Sequence, residues 1–307
     1  MKIDEAIQLF TAYVTAEKRL AAGTVSYYVG EVERFGQYLK SQQIEDIEDI
    51  DTRDVRAWQM GLLEAGDAPG TVTKKLAALR AWFKYLRRQK LLNKDVMAPV
   101  KPPKAPKRLP VFFRESEVER IYGDIYPHTY DGEVHRIVLR ILYETGMRRT
   151  ELSALTLSGI DLGALTIKVR GKRNKERFIP IEPELAAGLK RYIELREAQL
   201  DSLRDIAACR AMTDRLLVNS TGRPLSAGMI YIIVKRYMPS LSDAERTSPH
   251  VFRHTFATHM LNEGANIDAI KELLGHSSLA ATEVYTHVTR EHLKESYKHA
   301  HPRANKK

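Results

Sequence analysis

Cysteine is nearly absent from this chain of 307 residues, where Cys209 stands alone. A single thiol excludes an intramolecular disulfide and any metal site built on several cysteines, and it points to a reducing, cytoplasmic setting. Long apolar runs are missing too. No stretch is long enough to span a bilayer, and the opening Met1-Lys2-Ile3-Asp4-Glu5 has no apolar signal core. No segment of the form GxxxxGK[S/T] occurs, so no phosphate-cradling nucleotide loop is expected. No HExxH segment and no cluster of acids suited to catalytic metal ions stands out, so neither metal nor cofactor is expected.

What the chain does have is positive charge. Lys and Arg number 49 against 39 Asp and Glu, a formal net charge of +10. Such an excess favours a polyanionic partner, because bound cations release condensed counterions. A hydrophobic fraction of 43% fits a core-forming protein, and the length accommodates two domains.

Residues 1–100 read as helical throughout. One helix runs from Ile3 toward Lys18. A second is capped near Thr24 and carries Tyr28, Val32, Phe35 and Leu39 at helical spacing. A third, capped by Asp51 or Thr52, passes through Val55, Trp58 and Leu62 and ends near Gly66. A fourth begins at Thr71, with Val72, Leu76, Leu79, Phe83 and Leu86 as its apolar stripe. Lys74, Arg80, Lys84 and Arg88 lie away from that stripe and are candidates to follow a phosphate backbone. Residues 101–110 contain four prolines together with Lys101, Lys104, Lys107 and Arg108, which marks a basic, extended linker.

Residues 111–307 read as mixed α and β, mostly helical. Helices are expected over Glu115–Tyr126, Asp131–Glu144, Arg149–Leu157, Glu182–Leu200, Ala227–Tyr237, His250–Asn262, Ile267–Leu274 and Arg290–Lys298, with a further helical stretch over Leu203–Arg215. A hairpin is expected from Ala164–Val169 and Glu176–Ile181, joined by the turn Arg170–Lys175, and a short strand over Leu216–Asn219. The fold class is therefore mainly α with a small sheet.

Four segments carry chemistry. They are Tyr143-Glu144-Thr145-Gly146-Met147-Arg148-Arg149-Thr150-Glu151-Leu152, Gly171-Lys172-Arg173-Asn174-Lys175-Glu176-Arg177, His250-Val251-Phe252-Arg253, and Leu274-Gly275-His276 followed by Tyr285. In this order the set closely resembles the tyrosine recombinase (phage integrase) family, especially its Xer-type members. The resemblance covers nearly the whole chain. It implies a helical core-binding domain over residues 1–100 and a catalytic domain over 111–307.

By that resemblance Tyr285 is the nucleophile, forming a covalent ester with a DNA phosphate. Arg148 and Arg253 clamp the non-bridging oxygens, and Glu151 holds Arg148 or a neighbouring histidine. Arg149 competes with Arg148 on adjacency alone. Lys172 matches the general acid, although Arg173 stands where glycine is common, which leaves Lys175 as a second candidate. His250 accepts the nucleophile's proton or bonds a phosphate oxygen, and His276 bonds the phosphate or steadies the transition state. His250 and His254 also have helical metal-ligand spacing, but no cysteine partner supports a zinc site.

The resemblance further implies a double-stranded recombination site as substrate, a tetramer on DNA, and a C-terminal helix that packs on a neighbouring protomer. It leaves open a second recombinase or a DNA translocase as partner, and chromosome dimer resolution or mobile-element integration and excision as role. Two other readings of the same residues are a catalytically silent DNA-binding protein and a type IB topoisomerase.

Overall fold

The computed structural model describes residues 1–16, 20, 22–104, 112–171, 175–203, 214–242 and 248–275. The chain divides into two compact units, Met1–Arg108 and Leu109–Lys307. It is mainly helical with one small antiparallel sheet.

The first unit packs helices α1 (Ile3–Ala16), α2 (Ala22–Ser41), α3 (Thr52–Glu64) and α4 (Pro69–Arg88). Asp51 caps α3 by accepting from the Arg53 amide at 2.5 Å, and Asp54 accepts from the Asp51 amide at 2.7 Å. Helix α4 begins at Pro69, ahead of the expected Thr71, because proline suits a first turn whose amides lack helical acceptors anyway. Its stripe of Val72, Leu76, Leu79, Phe83 and Leu86 is buried, and Trp82 meets Phe35 edge-on in the same core. Of its cations, Lys74, Lys84 and Arg88 are exposed. Arg80 instead is half-buried and donates to the Val100 carbonyl at 2.8 Å, which ties the end of this unit to α4. Lys101 and Lys104 are exposed, and Lys107 and Arg108 lie outside the described residues.

The second unit contains α5 (Glu115–Glu119), α6 (Tyr130–Thr145), α7 (Arg149–Ser153), β1 (Ile160–Asp161), β2 (Thr166–Arg170), β3 (Glu176–Pro180), α8 (Pro183–Asp201), α9 (Ala227–Leu241), α10 (Pro249–Asn262) and α11 (Ile267–Leu274). Helix α6 is its axis. Every residue from Ile137 to Thr145 is buried, as a helix enclosed on all sides requires. Thr129 caps its start and Gly146 its end, the latter in the left-handed region at φ 59°. A β-carbon on Gly146 would come within 2.6 Å of Phe256 and 2.8 Å of Leu274. Glycine thus lets the end of α6 close against the cluster of Phe256, Met260, Ile270, Leu273 and Leu274 that joins α10 to α11. That closure brings the next residues, Met147 and Arg148, to the end of α11.

The sheet order is β1-β2-β3, with Ile167 opposite Ile160 on one side and Ile179 on the other. The expected hairpin is present. Strand β1 was not expected, since two residues carry no readable alternation. The segment Leu216–Asn219 forms only isolated bridges, Thr156 with Arg215 and Val218 with Pro224, rather than a strand. Two expected helices are shorter: 115–126 divides into α5 and a 3₁₀ turn at Arg120–Tyr122, and 149–157 keeps only α7 before a 3₁₀ turn at Leu157–Gly159. Helix α9 runs past Tyr237 to Leu241 with Pro239 in its last turn. Most of Leu203–Arg215, the expected helix Arg290–Lys298 and the basic residues 303–307 lie outside the described residues.

Candidate active site

Helix α11 stops at Leu274, and Gly275 caps it in the left-handed region at φ 64°. The Gly275 amide donates to the Glu272 and Lys271 oxygens, and the Leu273 and Leu274 carbonyls follow at the end of the helix. Arginines from three different elements supply donors there. Arg177 on β3 donates from Nε to the Leu273 oxygen at 2.7 Å. Arg253 on α10 donates from Nη2 to the Leu274 oxygen at 2.6 Å. Arg148, just ahead of α7, donates from Nη2 to the Gly275 oxygen at 3.3 Å. The negative end of a helix suits this clustering of cations. Arg253 also donates from Nη1 to the Gly146 oxygen at 3.0 Å, linking the end of α6 to the same point.

One carboxylate, Glu151, lies among these three guanidiniums. Its Oε2 accepts from the Arg148 amide at 2.8 Å, which closes the first turn of α7. Its Oε1 accepts from Arg148 Nη1 at 2.8 Å and from Arg177 Nη1 at 3.1 Å, while Oε2 also takes Arg177 Nη2 at 2.9 Å. Burial opposes ionisation of Glu151, but the hydrogen bonds from Arg177 and Arg148 outweigh it and hold the carboxyl below its usual value of 4.5. The linkage sign follows. Because the folded value is depressed, this group's stability contribution is complete above about pH 4.5 and disappears as pH falls through the lower folded value. Glu151→Gln should therefore remove that acid limb. With the carboxylate buried and its partners left charged, the substitution should cost about 3 kcal/mol of stability at neutral pH, read from urea melts of the two proteins.

His250 lies at the start of α10, and its titration is lowered by burial first, then by Arg149, Arg253 and Arg148. Arg253 is likewise lowered, to about 10, by burial and then by Arg148, and it remains a cation at neutral pH. Three guanidiniums with one carboxylate leave an excess of positive charge in a partly enclosed site. That is the electrostatic shape of an anion receptor.

The structure thus brings Arg148, Glu151, Arg253 and His250 together. Arg149, the alternative to Arg148, points elsewhere, its guanidinium 5.4 Å from the centre of the Tyr231 ring. Lys172, His276 and Tyr285 lie outside the described residues. The residues just before two of them are described, and both abut the cluster. A β-carbon on Gly171 would stand 3.7 Å from Glu151 and Arg177, and one on Gly275 would stand 3.2 Å from Arg177. Lys175, the alternative to Lys172, is exposed beyond the tip of the hairpin. Sequence reading placed Arg177 in the segment around Lys172 but gave it no role, because an arginine on a short strand looks like any solvated side chain. Among the described residues no group of three His, Cys, Asp or Glu could hold a metal ion, and no helix is long and apolar enough to cross a membrane.

Comparison with known proteins gives consistent matches. Residues 111–292 match the model of the phage integrase family, and residues 7–90 match the phage integrase N-terminal SAM-like domain. The chain is 36% identical over 301 residues to tyrosine recombinase XerC of Bacillus subtilis (strain 168), covering 98% of this chain and 97% of that protein. The XerH site-specific recombinase bound to its difH substrate shares the fold, with a TM-score of 0.67, 22% identity, and coverage of 96% of this chain and 84% of that one. So does the lambda integrase tetramer bound to a Holliday junction, with a TM-score of 0.67, 17% identity, and coverage of 92% and 79%.

Proposed function

The chain belongs to the phage integrase family of tyrosine recombinases, and on that premise we propose that it cuts DNA through Tyr285 with Arg148 and Arg253 as the phosphate clamp. It is a Xer-like site-specific recombinase, an enzyme that breaks and rejoins DNA strands. The Tyr285 oxygen attacks the scissile phosphorus as the bond to the 5′ oxygen breaks. The products are a 3′-phosphotyrosine and a free 5′ hydroxyl. The tyrosine proton goes to His250 or solvent, and Lys172, with Lys175 as alternative, protonates the leaving oxygen. His276 bonds the phosphate. The ester keeps the energy of the broken bond, so attack by another 5′ hydroxyl reseals the strand without a nucleotide cofactor.

The observation that carries this reading is the convergence of Arg148 and Arg253 on the adjacent carbonyls of Gly275 and Leu274, directly ahead of residue 276. Two forked donors a few ångströms apart match the two non-bridging oxygens of a phosphodiester. Residues 1–100 hold the duplex, helped by Lys74, Lys84, Arg88, Lys101, Lys104, Lys107 and Arg108, and the catalytic unit completes the grip. Strand exchange takes place in a tetramer through a Holliday junction, as the lambda integrase assembly suggests. Chromosome dimer resolution and mobile-element integration or excision are both served by this chemistry. A second recombinase or a translocase is compatible with either.

The test is covalent trapping on a nicked suicide duplex carrying a candidate recombination site from the source genome. An adduct stable on a denaturing gel supports the reading. Tight, salt-sensitive binding with no adduct would favour a silent DNA-binding protein, and relaxation of plasmid lacking any such site would favour a topoisomerase. The state of His250 adds a pH test. Burial and its arginine neighbours keep it neutral at pH 7, so kcat/KM for cleavage should hold level down to about pH 6.5 and fall only below it. His250→Asn should flatten that fall, and an unchanged acid limb would remove His250 from the proton path.

A further inference from the structure

Arg177 has no part in the mechanism above, yet among the described residues all of its guanidinium hydrogen bonds lie in the site. Its Nη1 and Nη2 fork both oxygens of Glu151, at 3.1 and 2.9 Å, and its Nε holds the Leu273 carbonyl at 2.7 Å. Its side chain is 12% exposed, against 31% for Arg148. The guanidinium also fills the space a side chain at residue 275 would need, and it borders Gly171 at the base of the hairpin tip. All three of its nitrogens are engaged inside the protein. Arg148 differs, since its Nη2 makes only a long 3.3 Å bond to Gly275 and is accessible enough to exchange that bond for a phosphate oxygen.

We propose that Arg177 is a positioning residue for strand cleavage, acting through Glu151 to set the direction of the Arg148 guanidinium while anchoring the end of α11 ahead of residue 276. Without Arg177, the hydrogen bonds that remain to Glu151 among the described residues come from Arg148 alone. Both are then free to swing together, and the last turn of α11 loses its tie to β3. A forked pair fixes both planes, as a single ammonium cannot. The inference rests on the proposed role of Arg148 as a phosphate clamp, and it adds a residue that the nucleophile, clamp and acid do not include.

The test compares two nicked suicide duplexes. One carries the natural scissile phosphate. The other carries a methylphosphonate there, which lacks the negative charge an arginine clamp neutralises. Arg177→Lys and Arg177→Gln are assayed beside wild type, with Arg148→Ala as reference. On the natural phosphate the rate of adduct formation should drop about 10²-fold with DNA affinity unchanged, the scale expected when a clamp is displaced rather than deleted. On the methylphosphonate the deficit should shrink to below about tenfold, in parallel with Arg148→Ala. Each comparison is made between two substrates within one variant, so a partly unfolded population scales both rates equally and cancels.

An equal loss on both substrates would mean that Arg177 supports only the fold, and would overturn the inference. So would rates equal to wild type. Adduct from wild type together with either of those results leaves the recombinase reading standing and removes Arg177 alone. No adduct from wild type on either duplex removes the reading, and the inference with it.

Discussion

Tyr285→Phe should abolish the covalent protein–DNA adduct while leaving DNA affinity unchanged. The substitution deletes one oxygen and nothing else of consequence. A phenolic hydroxyl with a pKa of about 10 contributes little to holding a duplex at neutral pH, so binding should survive. With Tyr285 as nucleophile the loss of rate should be complete within detection, because phenylalanine has no oxygen to form the ester. The chain has 14 tyrosines. An adduct formed by both wild type and Tyr285→Phe would therefore show that the nucleophile is another of them. The clamp and the acid act only on a bond that the nucleophile has begun to form, so no other single substitution should match this loss.

Arg253→Met should come second, with a cleavage rate lowered about 10²- to 10³-fold, the scale of removing one preorganised donor from a developing oxyanion. Its effect on stability should be small by comparison. Arg253 is a cation pushed down to about 10 by burial and by Arg148, and its hydrogen bonds go to the Gly146 and Leu274 carbonyls. Methionine fills much of the same volume and removes the repulsion with Arg148, which offsets the two lost hydrogen bonds. A charged group kept at such a cost makes sense if an anion arrives to neutralise it. Rate and thermal melting together check this. A variant that melts far lower but cleaves normally would assign Arg253 to the fold. A variant that melts like wild type but cleaves slowly would support the clamp.

These two effects differ in kind from that of Glu151→Gln. Glu151 bonds to Arg148 and Arg177 rather than lying open toward a substrate, so its loss registers in stability and reaches the rate only through the direction of Arg148. Arg253 faces carbonyls that a substrate phosphate can replace, so its loss registers first as rate.

Much of this was legible along the chain, because helix signals are local. Asp51, one of the two expected caps, does cap the helix it precedes, through bonds to residues a few positions away, whereas Pro69 and Pro249 open their helices slightly ahead of the expected Thr71 and His250. Apolar spacing at 3.6 residues identified the buried stripe of α4 for the same reason. The failures were also local in origin. Two-residue β1 has no period to read, and Leu216–Asn219 has strand composition but only bridge partners. The order of Arg148, Lys172, His250, Arg253, His276 and Tyr285 carried the family resemblance before any geometry was known.

By itself, then, the sequence determined the helical class, the two-part organisation of the reading, the basic character and the set of chemical groups, since each depends on composition or on neighbours in the chain. Only the tertiary structure decided which groups share a site. Arg148 meets Gly275 across 127 positions, Arg253 meets Gly146 across 107, and Arg177 meets Leu273 across 96. It turned Arg149 toward Tyr231, drew Arg80 onto Val100, and brought Arg177 to the carboxylate of Glu151. Such contacts arise when buried faces pack and unpaired carbonyls and charges find partners within that packing, and no local spacing encodes the outcome.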